Sequence, residues 1–143
     1  MSKTLPTRPV LGAIAVVVHE GRVLLVRRKK EPDAGKWGFA GGHVERGETA
    51  LAAAARELHE ETGVVATPER YLTNLDIIMR DGDGVVAHHF LLVAVLCRYE
   101  RGTPVPSDDV SHAEWIEIAR VATLDRSEHV EEMIDLATTS DGF

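Results

Sequence analysis

Apolar and polar positions change their spacing several times along the chain, and each change predicts an element. VLGAIAVVVHE (Val10–Glu20) is an almost unbroken run of apolar, largely β-branched residues, which reads as a strand. Gly21 marks a turn, and RVLLVRR (Arg22–Arg28) reads as the return strand of a hairpin. KKEPDAGK is a loop broken by Pro32 and Gly35. WGFAGGHVERGE is too rich in glycine for a helix and fits a strand leading into a tight loop.

From Thr49 the period becomes helical. Leu51, Ala54, Ala55, Leu58 and Thr62 form one stripe, with Thr49 as N-cap and Gly63 where a helix C-terminus wants positive φ. ERYLTNLDIIMR (Glu69–Arg80) reads as a strand, DGDG (Asp81–Gly84) as a hairpin turn, and VVAHHFLLVAVLCRYE (Val85–Glu100) as the long return strand. RGTPVPSDD is a loop, and HAEWIEI (His112–Ile118) alternates as a half-buried strand does. DRSEHVEEMIDLATT (Asp125–Thr139) predicts a closing amphipathic helix, with Val130, Met133, Ile134 and Ala137 as its stripe. Residues 1–9 read as a loose lead-in. The order predicts a mixed β-sheet between helices in a single α/β domain over residues 1–143.

Composition changes this picture in three places. A net charge of −7 argues against a general nucleic-acid binder. It also conflicts with a phosphate-bearing ligand unless a divalent cation intervenes. The single cysteine, Cys97, allows no internal disulfide and sits in an apolar run, as a small buried hydrophobe would. No stretch reaches the roughly 18 apolar residues of a membrane span. The first residues lack the apolar segment of a signal peptide, so the protein is expected in the cytoplasm.

RELHEETG (Arg56–Gly63) concentrates Glu57, Glu60 and Glu61 on the first helix. At about 100° per residue the three fall in one narrow sector, beside the apolar stripe. Like charges so placed repel. A solvated charged face with Arg56–Glu60 as an i, i+4 pair would explain the helix taken alone. The preceding GGHVERGE shifts the balance. Gly41 and Gly42 permit close backbone approach, and Glu48 adds a carboxylate at the helix start. Clustered carboxylates and carbonyls are what a hard divalent cation takes.

Gly42, Glu48, Arg56, Glu57, Leu58, Glu60, Glu61, Gly63 and Val64 together resemble the signature of the Nudix hydrolases. The resemblance implies an α/β/α sandwich over roughly residues 8–139. It implies water attack on the pyrophosphate bridge of a nucleoside diphosphate derivative, with Mg2+ as cofactor and Mn2+ as substitute. Glu57, Glu60, Glu61 and the carbonyl of Gly41 would be metal ligands, and Glu48 would assist. Arg56 would hold a neighbouring carboxylate in place. The general base is Glu57 in some relatives and an acid from a distant loop in others, which here would be Asp109; His112 is a weaker candidate. Ala40 stands where many members have proline, a departure that touches no catalytic group.

The loop sequences look most like the short ADP-ribose pyrophosphatase-like members. This implies ADP-ribose or a related nucleotide sugar as substrate, with hydrolysis of (d)NTPs or non-catalytic nucleotide sensing as alternatives. Arg27, Arg28 and Trp37 are candidate substrate contacts, against a solvated basic strand edge and a core aromatic. Many relatives are homodimers, which makes a second copy an expected partner. His88 and His89 are adjacent in a strand and face opposite ways, so they do not chelate one ion together. Ordinary packing accounts for them, with a place in the cleft for one as the alternative. DGDG lacks the later glutamate of a calcium loop and reads as a turn.

Overall fold

The computed structural model describes residues 8–139, so most of the expected lead-in lies outside the described residues. The elements are β1 (Val10–His19), β2 (Arg22–Arg28), β3 (Trp37–Gly38), β4 (Gly41–His43), α1 (Ala50–Thr62), β5 (Val65–Arg80), β6 (Val86–Arg101), β7 (Val110–Glu117) and α2 (Val130–Thr138). A short 3₁₀ turn covers Ile118–Thr123.

β1 organises the sheet. It runs parallel to β6 from Val10↔Phe90 to Val17↔Cys97. On its other edge it takes β4 antiparallel at Gly12–Ile14 and β2 at Val18 and His19. β5 lies outside β6, β3 and β7 flank β2, and among the described strands the β1–β6 ladder alone is parallel, apart from an isolated parallel bridge between Trp37 and Arg126. The sheet is therefore mixed. The β1–β2 turn places Glu20 at φ 53° and Gly21 at φ 77°, two successive left-handed residues that match the twist of a tight hairpin.

The unbroken apolar character of β1 follows from having a helix on each face. Ala13, Ala15 and Val17 pack with Ala53, Ala54 and Leu58 of α1, together with Val95 and Cys97. The alternate residues, Ile14, Val16 and Val18, pack toward Met133 of α2. Val130 and Ile134 close a further cluster with Val23, Leu25 and Ile116. A strand covered on both sides loses the polar alternation of a half-exposed one. Burial pushes the Cys97 thiol up to about 12, which leaves it as packing rather than as a nucleophile.

Two boundaries differ from expectation. The closing helix begins at Val130, not Asp125. The Trp37 N–H donates to the Asp125 carbonyl, and the Ser127 N–H donates to the Trp37 carbonyl. This bridge holds the segment extended, and His129, at φ 74°, turns the chain into the helix. β5 begins earlier than its apolar pattern suggests, at Val65, because β6 runs on to Arg101 and pairs with it.

Candidate active site

α1 is fixed at both ends by local chemistry. The Thr49 hydroxyl accepts from the Ala52 N–H at 3.0 Å, satisfying one free donor of the first turn. Gly63 sits at φ 76° and its N–H donates to the His59 carbonyl. The helix therefore presents its acids from a firm base.

Arg56 is the centre of the charge network. Its Nε and Nη2 donate to Glu48 Oε2 and Oε1 at 2.7 and 3.0 Å. Its Nη1 donates to Glu57 Oε2 and Glu60 Oε2, both at 3.1 Å, and Nη2 also reaches the His43 carbonyl at 3.0 Å. All five guanidinium N–H donors are thereby used. The Glu45 N–H adds a bond to Glu48, and with Arg56 it holds that carboxyl down to about 2.

The three helix acids separate. Glu61 is 7% exposed and accepts from the Gly41 N–H at 3.4 Å. Burial first, and the charge of Glu57 second, push its carboxyl up to about 8, while the Gly41 N–H and Arg28 pull the other way. Glu57 lies between Arg56 and Glu61, and burial raises its pKa as well. Glu60 stays at the Arg56 end with its side chain 45% exposed. Among the described residues no three acidic, histidine or cysteine side chains converge on one point. The structure brings together Glu57, Glu61 and the paired glycines, and leaves Glu60 and Glu48 on the arginine.

Gly41 and Gly42 are required by contact rather than by φ. A Cβ on Gly41 would strike the Ala13 carbonyl and lie 2.9 Å from the Ile14 Cα, both backbone atoms that cannot swing away. A Cβ on Gly42 would meet the Glu57 carboxylate. Gly41→Ala is therefore expected to destabilise the protein by about 2–3 kcal/mol through overpacking. Thermal unfolding checks this, and an unchanged Tm would refute it.

These groups close one end of a cleft of about 760 Å³. Arg28, Lys30, Lys36 and Asp109 stand on its rim, and Ile77, Met79, His88 and Phe90 line its far wall. Lys30 Nζ pairs with Asp109 Oδ1 at 3.0 Å. Arg28 lines the cleft and its Nε donates to the Pro32 carbonyl. Arg27 turns the other way, its Nε on the Gly35 carbonyl, and is not part of the lining. Trp37 packs with Phe39 and Val23 in the core, its ring 5.7 Å from His112, and is likewise not part of the lining. Lys30, Lys36 and the apolar residues of the β5–β6 wall had not been singled out from sequence; for the His88–His89 pair packing was expected, and the structure instead gives His88 the alternative place in the cleft. The alternation of Leu75, Ile77 and Met79 was the available signal, since it places all three on one face of β5.

The donor set is one that a hard divalent cation fits: two carboxylates, one largely buried, against a glycine pair. Two acids so close ionise together only when a positive charge joins them.

A mixed sheet covered by a helix on each face, with this acid pair lining its cleft, defines an α/β/α sandwich domain with an acidic cleft. The NUDIX domain model matches residues 6–136, and the chain belongs to the Nudix hydrolase family. It is 33% identical over 111 residues to an oxidized purine nucleoside triphosphate hydrolase of Danio rerio, covering 78% of this chain and 68% of that protein. It is 28% identical over 116 residues to an ADP-ribose pyrophosphatase of Methanocaldococcus jannaschii, covering 81% of this chain and 66% of that protein. The MutT NUDIX hydrolase of Burkholderia pseudomallei superposes with a TM-score of 0.76 at 25% identity, over 92% of this chain and 99% of that one. The relatives named as hydrolases and pyrophosphatases act on nucleotide derivatives, and Nudix hydrolases generally use a divalent cation.

Proposed function

We propose that this protein hydrolyses the pyrophosphate bond of ADP-ribose or a related nucleotide sugar, with Mg2+ or Mn2+ as cofactor. The observation that carries the reading is the Glu57–Glu61 pair, set against Gly41 at the closed end of a cleft rimmed by Arg28, Lys30 and Lys36. Glu57, Glu61 and the Gly41 carbonyl would hold the cation, joined by Glu60 from the Arg56 end. When bound, the cation neutralises the pyrophosphate and supplies Lewis acidity there. Arg56 keeps Glu57 aimed at the cleft, and Glu48 holds Arg56 in turn. Glu57 or Asp109, both on the cleft, takes the proton of the attacking water. The cleft lining carries more carboxylates than cationic side chains, so a bound divalent cation is what would let it accept an anionic substrate.

The same reading takes the protein as cytoplasmic and homodimeric; among the described residues no helix is long and apolar enough to cross a membrane. A second substrate reading, hydrolysis of a (d)NTP to monophosphate and pyrophosphate, is favoured by the 33% identity to a nucleoside triphosphate hydrolase. A substrate panel with Mg2+, scored by product, separates the two. AMP and ribose 5-phosphate from ADP-ribose are expected; pyrophosphate released from a dNTP in preference would overturn the first reading in favour of the second.

A further inference from the structure

The far wall of the cleft has a construction of its own. β5 and β6 pair there antiparallel, with Leu75↔Leu92, Ile77↔Phe90 and Met79↔His88 as successive cross-strand partners. All six side chains line the cleft. The His88 and Phe90 rings are almost parallel, with an interplanar angle of 11° and centroids 6.2 Å apart. The wall is thus largely apolar, with two near-parallel rings, and the imidazole adds nitrogens that can hydrogen bond.

Its distance from the acids follows from the ladder. Leu92 pairs through Gly12 with the strand carrying the glycine pair, and a Cβ on Gly12 would lie 3.3 Å from the Gly42 carbonyl. At about 3.3 Å per residue, Phe90 lies roughly 7 Å and His88 roughly 13 Å along β6 from that row. This interval suits the span from the phosphorus of a nucleoside monophosphate to its base.

The two sides of the cleft also differ in kind. The β2–β3 loop opposite contributes Lys30, Asp33 and Lys36, groups suited to phosphate and sugar hydroxyls. The β5–β6 wall offers aromatic rings and aliphatic packing, which suit a planar heterocycle. We propose that His88 and Phe90 form the platform on which the nucleobase of the substrate stacks, and so decide which nucleotides enter. Resting on the proposed function, this assigns the base to the β5–β6 side and the second sugar to the loop side. His88 and Phe90 act on binding and take no part in proton transfer.

The test uses the whole protein with Mg2+ and two product probes, AMP and ribose 5-phosphate, titrated calorimetrically against wild type, His88→Ala and Phe90→Leu. Phe90→Leu keeps apolar volume on the wall, which guards against simple unfolding. Each variant is expected to weaken AMP about tenfold, the loss typical of a base–aromatic contact, and to leave ribose 5-phosphate unchanged. With ADP-ribose, KM should rise by a similar factor at nearly constant kcat. Unchanged AMP affinity in both folded variants, or an equal loss for both probes, overturns the platform while leaving the hydrolytic reading intact. A wild-type protein that turns over no nucleotide and binds no AMP overturns both.

Discussion

Glu61→Gln is expected to lower kcat by at least about a hundredfold while the protein stays folded, the cost of removing a major electrostatic element from an active site. The amide is nearly the same shape and its oxygen can still accept from the Gly41 N–H, so the backbone around it has no reason to move. What it loses is the charge that would meet the cation. Thermal unfolding separates this loss from misfolding. In metal-free wild type, Glu61 titrates at about 8 against an ordinary value of 4.5. The folded state thus holds a proton that the unfolded state releases. Stability is fully present below about 4.5 and is lost as pH rises through about 8. Glu61→Gln removes that slope, so its metal-free Tm should fall less between pH 5 and 8. Added Mg2+ should raise the Tm of wild type at pH 8 and raise that of the variant much less. Near-normal turnover by the variant would sink the assignment of Glu61 as a metal ligand.

The second large effect is expected at Arg56. Arg56→Ala leaves Glu48, Glu57 and Glu60 without their common cation and frees the His43 carbonyl. Removing the shared guanidinium leaves three neighbouring carboxylates to repel one another, so a lower Tm is expected. kcat/KM should fall about a hundredfold as Glu57 loses its aim. Arg56→Lys is the informative control. An ammonium has three donors and no planar fork, so it cannot serve five acceptors from one place. It should recover part of the stability and little of the activity. Full recovery of activity by lysine would show that charge alone, without the fork, suffices.

Much of this was written locally. α1 carries its own start and stop in Thr49 and Gly63, and its stripe faces the sheet as the period requires. The β5–β6 hairpin is set by the Asp81–Gly84 turn, where the Asp81 carboxylate accepts from the Asp83 and Val85 N–H groups. The class of chemistry was legible through the resemblance of Gly42, Glu48, Arg56, Glu57, Leu58, Glu60, Glu61, Gly63 and Val64 to the Nudix signature, which the family match bears out. What local pattern did not carry was contact between distant segments. Helical spacing puts three glutamates in one sector, but Arg56 sorts them, keeping Glu60 outward while Glu61 is buried against β4. Trp37 looks like a cleft aromatic in sequence, yet its backbone bridges to Asp125 and Ser127 and draws its ring into the core. The same bridge erases the first turn of the expected final helix. The cleft wall was hidden for a related reason: the alternation on β5 marks a face, and only the sheet order tells which helix or opening that face meets.

The parallel ladder between β1 and β6 has a consequence for how such a protein diversifies. The acids ride on α1 and the glycine pair on β4, while the aromatic wall rides on the outer half of the β5–β6 hairpin, beyond the reach of the α1 packing cluster. The two halves of the cleft are joined through β1, which pairs with β4 on one edge and with β6 on the other. With the base resting on this wall as proposed, substitutions near the hairpin tip, around His88, would re-tailor the choice of guest without disturbing the acids on α1. A lineage can change its diet in small steps and keep its teeth.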